Sequence, residues 1–292
     1  MCANAGRGDL RIAGMVSVII LILAASPAEA EPNNTRPFTL AERQLLLIER
    51  MTNSALLAAL GIDASPGLSS IHWSRGRFDR MQTDLREGNP YIGLSPTTEP
   101  KILETLDQAD SRWRHYDSIF GEIVASGKVS EAQVDALAVS HANMIEALRQ
   151  MVDSYGYFVY GGRYHSILSS TINGTGRLRA STQLVLRSLM MAAYHDYATE
   201  QRQQLAQSTK EFDETINGLI EGNPERRLLP AATREIRGEL MKVDEMWTEI
   251  RPILERAVAG EAVTKDQIAT VARYANDMAV PLTMALMMYL SV

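Results

Sequence analysis

The sequence predicts an all-α protein built as two tandem four-helix up-down bundles, and three observations carry that prediction. Residues 78–155 laid on 212–289 without a gap agree at 22 of 78 positions, where unrelated chains of average usage agree at about one in sixteen. Apolar residues recur at three- and four-residue steps over 40–60, 70–87, 99–126 and 130–153, and no segment alternates with period two for long. Helix-ending chemistry repeats as well: Glu87-Gly88-Asn89-Pro90 returns as Glu221-Gly222-Asn223-Pro224.

Taken in order, residues 1–30 read as a signal peptide. Arg7 and Arg11 precede an uncharged stretch over 13–25, and Ala28-Glu29-Ala30 offers small residues where a signal peptidase reads. The apolar run is shorter than the ~20 residues of a membrane helix. A mature chain from Glu31 is therefore expected in the periplasm, the alternative being an uncleaved N-terminal anchor.

Module 1 is expected over 31–155, with Gly61, the Glu-Gly-Asn-Pro run and Gly127 as helix stops and Ser130 as an N-cap. Its third helix presents Ile102, Leu106, Ala109 and Trp113 on one stripe, matched by Ile236, Leu240, Val243 and Trp247, which places both tryptophans in cores. A linker is expected over 156–171. Around it, Tyr155, Tyr157, Phe158, Tyr160 and Tyr164 stand among three glycines, a composition that suits either inter-module packing or a partner-facing surface. Module 2 is expected over 172–292, with Thr264 as an N-cap. It ends in Met278, Met284, Met287 and Met288, which serve as core filler or as an adaptable surface.

Composition removes several functions. Lys plus Arg number 29 against 35 Asp plus Glu, a net of −6 that provides no global field for nucleic acid. The single cysteine, Cys2, lies in the expected leader, leaving no disulfide, thiolate nucleophile or cysteine-held metal. The histidines (His72, His115, His141, His165, His195) form no Glu-x-x-His pair and no His-Glu-x-x-His. His141 and His195 read as ordinary polar residues on helix faces. No Gly-x-Ser-x-Gly, Walker loop or dinucleotide fingerprint occurs. We expect no catalytic residues, no metal and no cofactor, hence no enzyme.

The run Ile172-Asn173-Gly174-Thr175-Gly176-Arg177-Leu178-Arg179-Ala180-Ser181-Thr182-Gln183 resembles the I-N-x-x-G-R-x-R-M-x-x-Q-R signature of the type IV pilus methyl-accepting chemotaxis transducer N-terminal (PilJ-type) domain. It is also similar to the corresponding segment of nitrate/nitrite sensor kinases. In module 1, Ala41-Glu42-Arg43-Gln44-Leu45-Leu46-Leu47-Ile48-Glu49-Arg50-Met51 is similar to A-G-R-Q-R-M-L-S-Q-R-M, and the two runs lie one repeat apart. The resemblance implies a helical sensor domain in which an arginine holds an oxyanion together with its symmetry mate. Here Arg179 stands at that position and Leu45 at its counterpart. Helical spacing independently places Arg179, Gln183 and Arg187 on one face, and a guanidinium fork suits nitrate, carboxylate or phosphate. The candidate ligand-binding set is thus Arg179, Gln183 and Arg187, with Arg43, Glu49 and Arg50 as the motif equivalents in module 1.

The functional expectation is an exported, non-enzymatic sensor-type module. It takes a small ligand such as an oxyanion, or a partner protein, and signals through another chain such as a membrane sensor or pilus-system protein. A homodimer through module 2 would let two Arg179 side chains share one anion. The alternative is a structural or assembly factor of the envelope or pilus system without a ligand.

Overall fold

Helix propensity and capping act as the sequence suggests. In the computed structural model, which describes residues 35–62, 64–159, 167–193 and 198–291, the protein is all-α. Among the described residues the helices are α1 (Arg36–Ala59), α2 (Ala64–Glu87), α3 (Pro100–Ser126), α4 (Glu131–Val159), α5 (Ile167–Ala192), α6 (Ala198–Glu221), α7 (Arg234–Val258), α8 (Lys265–Asp277) and α9 (Ala279–Ser291). The expected signal peptide, His165 and His195 lie outside the described residues. No helix among the described residues is long and apolar enough to cross a membrane.

Helix boundaries follow the repeat. Both α2 and α6 start and stop one repeat apart, as do the starts of α3 and α7 and of α4 and α8. The start of α8 is fixed by a capping box: Thr264 Oγ1 accepts from Gln267 N–H, while the Gln267 side chain accepts from Thr264 N–H. After α2 and α6 the chain makes the same reversal, with bridges Asn89–Leu94 and Asn223–Leu228. Gly88 and Gly222 sit there at φ +80° and +90°. A β-carbon at Gly88 would stand 2.7 Å from Pro96 N and 2.8 Å from Leu94 O, whereas at Gly222 the nearest atom, Pro230 Cδ, is 3.1 Å away. Left-handed backbone alone costs about 1–2 kcal/mol for a side chain. Gly88→Ala should therefore destabilise by about 2–3 kcal/mol, and Gly222→Ala by about 1–2 kcal/mol. Urea unfolding of the two variants checks both the size and the order.

Two apolar cores form. Phe38, Ile48, Phe78, Trp113, Phe120 and Leu148 belong to one, drawn from α1–α4. The other gathers Leu186, Phe212, Trp247, Leu282 and Tyr289 from α5–α9, and also takes Leu56, Ile62 and Val134 from the earlier part of the chain. The tryptophans occupy matching surroundings. Trp113 lies 4.1 Å from the Phe78 ring and donates its indole N–H to Asp79 at 2.6 Å; Trp247 lies 3.8 Å from Phe212 and donates to Asp213 at 2.7 Å.

The expected elements differ from the structure in two places. The fourth helical segment of the second half is two helices, broken at Met278, where α4 is continuous. Pro281 stands where the first half has Ala147, and a proline removes an N–H and crowds the carbonyl four residues earlier. The expected linker over 156–171 is also shorter, because α4 continues to Val159 and α5 begins at Ile167. Its described aromatics divide: Tyr155 is buried and bonded to Thr97 at 2.8 Å, while Tyr157 and Phe158 face outward; Tyr160 and Tyr164 lie outside the described residues. Likewise Met278 is core, but Met284 and Met287 are exposed.

The halves meet through their first helices. α1 packs on α2, α4 and α5, and α5 packs on α1, α6, α8 and α9. This α1/α5 seam carries the sequence motifs.

Candidate functional site at the seam

Three contacts define the seam. Glu42 lies so close to Gly176 that a β-carbon there would stand 2.6 Å from its Oε1. Asn53 Nδ2 donates to the Gln183 carbonyl and to Gln183 Oε1, at 3.0 and 3.1 Å. Arg187 Nε stands 3.5 Å from Glu49 Oε2. Residue numbers rise together along both helices, so α1 and α5 run in the same sense. The contacts are also reciprocal under the repeat: position 49 is equivalent to 183 and position 53 to 187, while Glu42 and Gly176 are each other's counterparts. The seam is thus a local pseudo-twofold, with the motif glycine leaving room for the Glu42 carboxylate.

Behind the seam lies a buried polar chain. Glu49 Oε1 accepts from His141 Nε2 at 3.1 Å, and the Tyr116 hydroxyl, 2.9 Å from His141 Nδ1, also lies 2.8 Å from Thr52 Oγ1. Burial, outweighing the pull of Glu49, lowers the His141 pKa and keeps the ring neutral. With Nε2–H given to the carboxylate, Nδ1 accepts from Tyr116. Burial would also push the Glu49 carboxyl up, but His141, Arg187 and Arg149 together hold it down, at about 2. Glu49 is therefore an ionised group buried between the halves. The corresponding positions in the second half are Gln183, Ala275, Ile250 and Leu186. There Gln183 Nε2 donates to the Ala275 carbonyl at 3.2 Å, and the rest is hydrocarbon.

These contacts divide the residues expected to bind one ligand. Arg187 is turned to Glu49, and the Gln183 amide is occupied by Asn53 and Ala275. Glu49 belongs to the buried chain. Arg179 is different: half-buried, it gives one N–H to Thr283 Oγ1 at 3.3 Å and lines an open cavity of about 500 Å³. Arg43, Arg50 and Gln183 line the same cavity, so four expected residues from two helices converge. Burial lowers the Arg179 pKa, Glu42 raises it, and Arg43 and Arg50 lower it further. Desolvation pushes the Glu42 carboxyl up to about 7 against the pull of Arg179. On the opposite side of the seam a second cavity, about 770 Å³, is lined in part by Leu45, Glu42, Glu49, Arg149 and Arg177.

One expectation is corrected by this packing. The Gln183 face of α5 is buried against α1 of the same chain, so the two motif helices meet within one chain. Arg179 meets a first-half helix carrying Leu45 rather than its own copy. His141, expected as an ordinary polar residue on a helix face, is 3% exposed and bonded within a buried polar chain. Its signal was present in the spacing Val134, Leu137, His141, Met144, Leu148, an apolar stripe interrupted by one imidazole. Sequence reasoning also missed Arg77, Thr283 and Glu42, which reach the seam from three helices.

Among the described residues no cluster of His, Cys, Asp and Glu has the form of a metal site. Residues 166–274 match the family model for the type IV pili methyl-accepting chemotaxis transducer N-terminal domain. The matched segment runs from the start of α5 through most of α8 and includes Arg179. Over it the chain is similar to a sensor-type chemotaxis signalling module. No curated protein and no solved structure matches the chain.

Proposed function

We propose that the protein is an exported sensor-type module, two repeat-related helical units paired within one chain, that takes a small oxyanion at the seam and signals through a membrane sensor or pilus-system protein. The observation that carries this reading is Arg179. It is half-buried, lies within the segment similar to the transducer domain, and makes no ion pair among the described residues. The carboxyl that acts on it, Glu42, is pushed up to about 7 by burial and compensates it only in part, so an anion that brings its own charge stabilises the guanidinium. Pairing within the chain puts the two motif helices in the relation that separate subunits would otherwise supply. The leader-like residues 1–30 support export to the periplasm, and the absence of catalytic motifs supports a binding role.

The test is thermal unfolding in nitrate, nitrite, sulfate and phosphate at constant ionic strength. A ligand at a hundred times its dissociation constant stabilises by about 2.7 kcal/mol, which moves the midpoint of a chain this size by roughly 5–10 °C. Arg179→Ala should abolish that shift and leave the helical content unchanged. A midpoint indifferent to every anion would overturn the reading in favour of a structural or assembly role.

A further inference from the structure

The two seam cavities are related by the repeat. Arg43, Leu46, Leu47, Arg50, Arg77 and Met81 line the smaller one, and their counterparts Arg177, Ala180, Ser181, Leu184, Glu211 and Thr215 line the larger. Each is closed on its other side by the opposite motif helix: Arg179 and Gln183 for the smaller, Leu45 and Glu49 for the larger. The chain therefore holds two versions of one pocket, and their charges have diverged.

In the smaller cavity four guanidiniums, those of Arg43, Arg50, Arg77 and Arg179, meet no lining carboxylate. None of the four makes an ion pair among the described residues. The larger cavity, which shares Arg179 with the smaller, sets Arg149, Arg177 and Arg226 among four carboxyl groups, those of Glu42, Glu49, Asp153 and Glu211. Arg43, Arg50 and Arg77 are exposed and partly screened by solvent, and an incoming anion relieves the repulsion that remains among the four. One unit of charge leaves most of that repulsion in place. The volume, about 500 Å³, lies in the range of small-molecule sites and greatly exceeds a bare triatomic or tetratomic oxyanion. The remaining wall is apolar, with Leu46, Leu47, Met81, Val280 and Met284, and Val280 and Met284 are exposed at the rim.

We propose that the smaller cavity is the ligand site, one per chain, and that it takes a small organic anion bearing two or more negative charges, carboxylate or phosphate, on a short carbon skeleton. This rests on the reading of Arg179 as an anion-holding residue and adds to it the side, the stoichiometry and the charge of the ligand. Arg43, Arg50 and Arg77 supply the further charge, the apolar wall receives the carbon skeleton, and the acid-balanced counterpart stays empty of anions.

Calorimetric titration of the full chain at fixed ionic strength tests this with citrate, glycerol 3-phosphate, sulfate and nitrate. Citrate and glycerol 3-phosphate should bind with one site per chain, at least tenfold more tightly than nitrate, with sulfate between. Arg77→Ala should weaken citrate tenfold or more while changing nitrate little, and Arg226→Ala, in the other cavity, should change neither. Arg77 is exposed and on no core face, so its variant should keep wild-type helicity. Nitrate binding as tightly as citrate, two sites per chain, or an Arg77→Ala protein indistinguishable from wild type would overturn this inference while leaving Arg179-dependent anion binding intact. Loss of response to every probe in the wild type would overturn both.

Discussion

Glutamine in place of Glu49 should lower the stability of the folded chain by about 3–5 kcal/mol, the cost of leaving a buried ion without its partner. For a chain of this size that is a fall of roughly 10 °C in the unfolding midpoint. Glu49 is 5% exposed and joins α1 to α4 through His141 and to α5 through Arg187. The neutral amide removes the counter-charge of Arg187 and presents an N–H toward groups arranged for an acceptor. A paired replacement, Glu49→Leu with Arg187→Met, should recover most of the loss, because an apolar pair of similar volume removes both charges together. Acid unfolding adds a second readout. The Glu49 carboxyl titrates at about 2 in the folded chain against 4.5 in its ordinary state. Its contribution is therefore present above pH 4.5 and lost as the pH falls toward 2, and the gap between wild type and Glu49→Gln should close over that window. A gap that stays constant from pH 6 to pH 2.5 would mean that Glu49 acts by packing alone.

That buried chain marks where sequence reading stopped. Helix positions were legible because the repeat is gapless and its turns carry chemistry that only a chain reversal uses: Gly88 and Gly222 at positive φ, each followed by Asn-Pro. The break at Met278 was legible in principle, since that helix run carries Pro281 where its first-half counterpart has Ala147. Convergence of Arg43, Arg50 and Arg179 was half-legible. The motif named these residues, but helical spacing grouped Arg179 with Gln183 and Arg187, which a parallel neighbour helix then covered. A helical wheel reports which residues share a face and says nothing of what lies against that face. Arg77 gave no signal, because its role arises only where α2, α1 and α5 come together.

Trp247→Ala and Trp113→Ala should each cost about 3–5 kcal/mol, the usual loss for deleting a buried indole. The two values should be close, because each ring stacks on an equivalent phenylalanine and bonds an equivalent aspartate. Hydrogen-bond loss is the smaller part: Asp79 is exposed and Asp213 half-buried, so solvent can reach the carboxylate once the indole is gone. The shape of the transition carries more information than its midpoint. If the halves were separate folding units, weakening one would split the urea curve, the damaged half melting first. The seam argues against that, since Leu56, Ile62 and Val134 complete the second core, and Glu49 and Asn53 place first-half polar groups against Arg187 and Gln183. Melting either half would leave those groups without partners in the other. Both variants should therefore unfold in one step at reduced denaturant, with circular dichroism and the fluorescence of the remaining buried tryptophan coincident. Separated curves in Trp247→Ala would show that the halves are coupled weakly, and that a ligand bound at the seam could not be sensed by the whole chain.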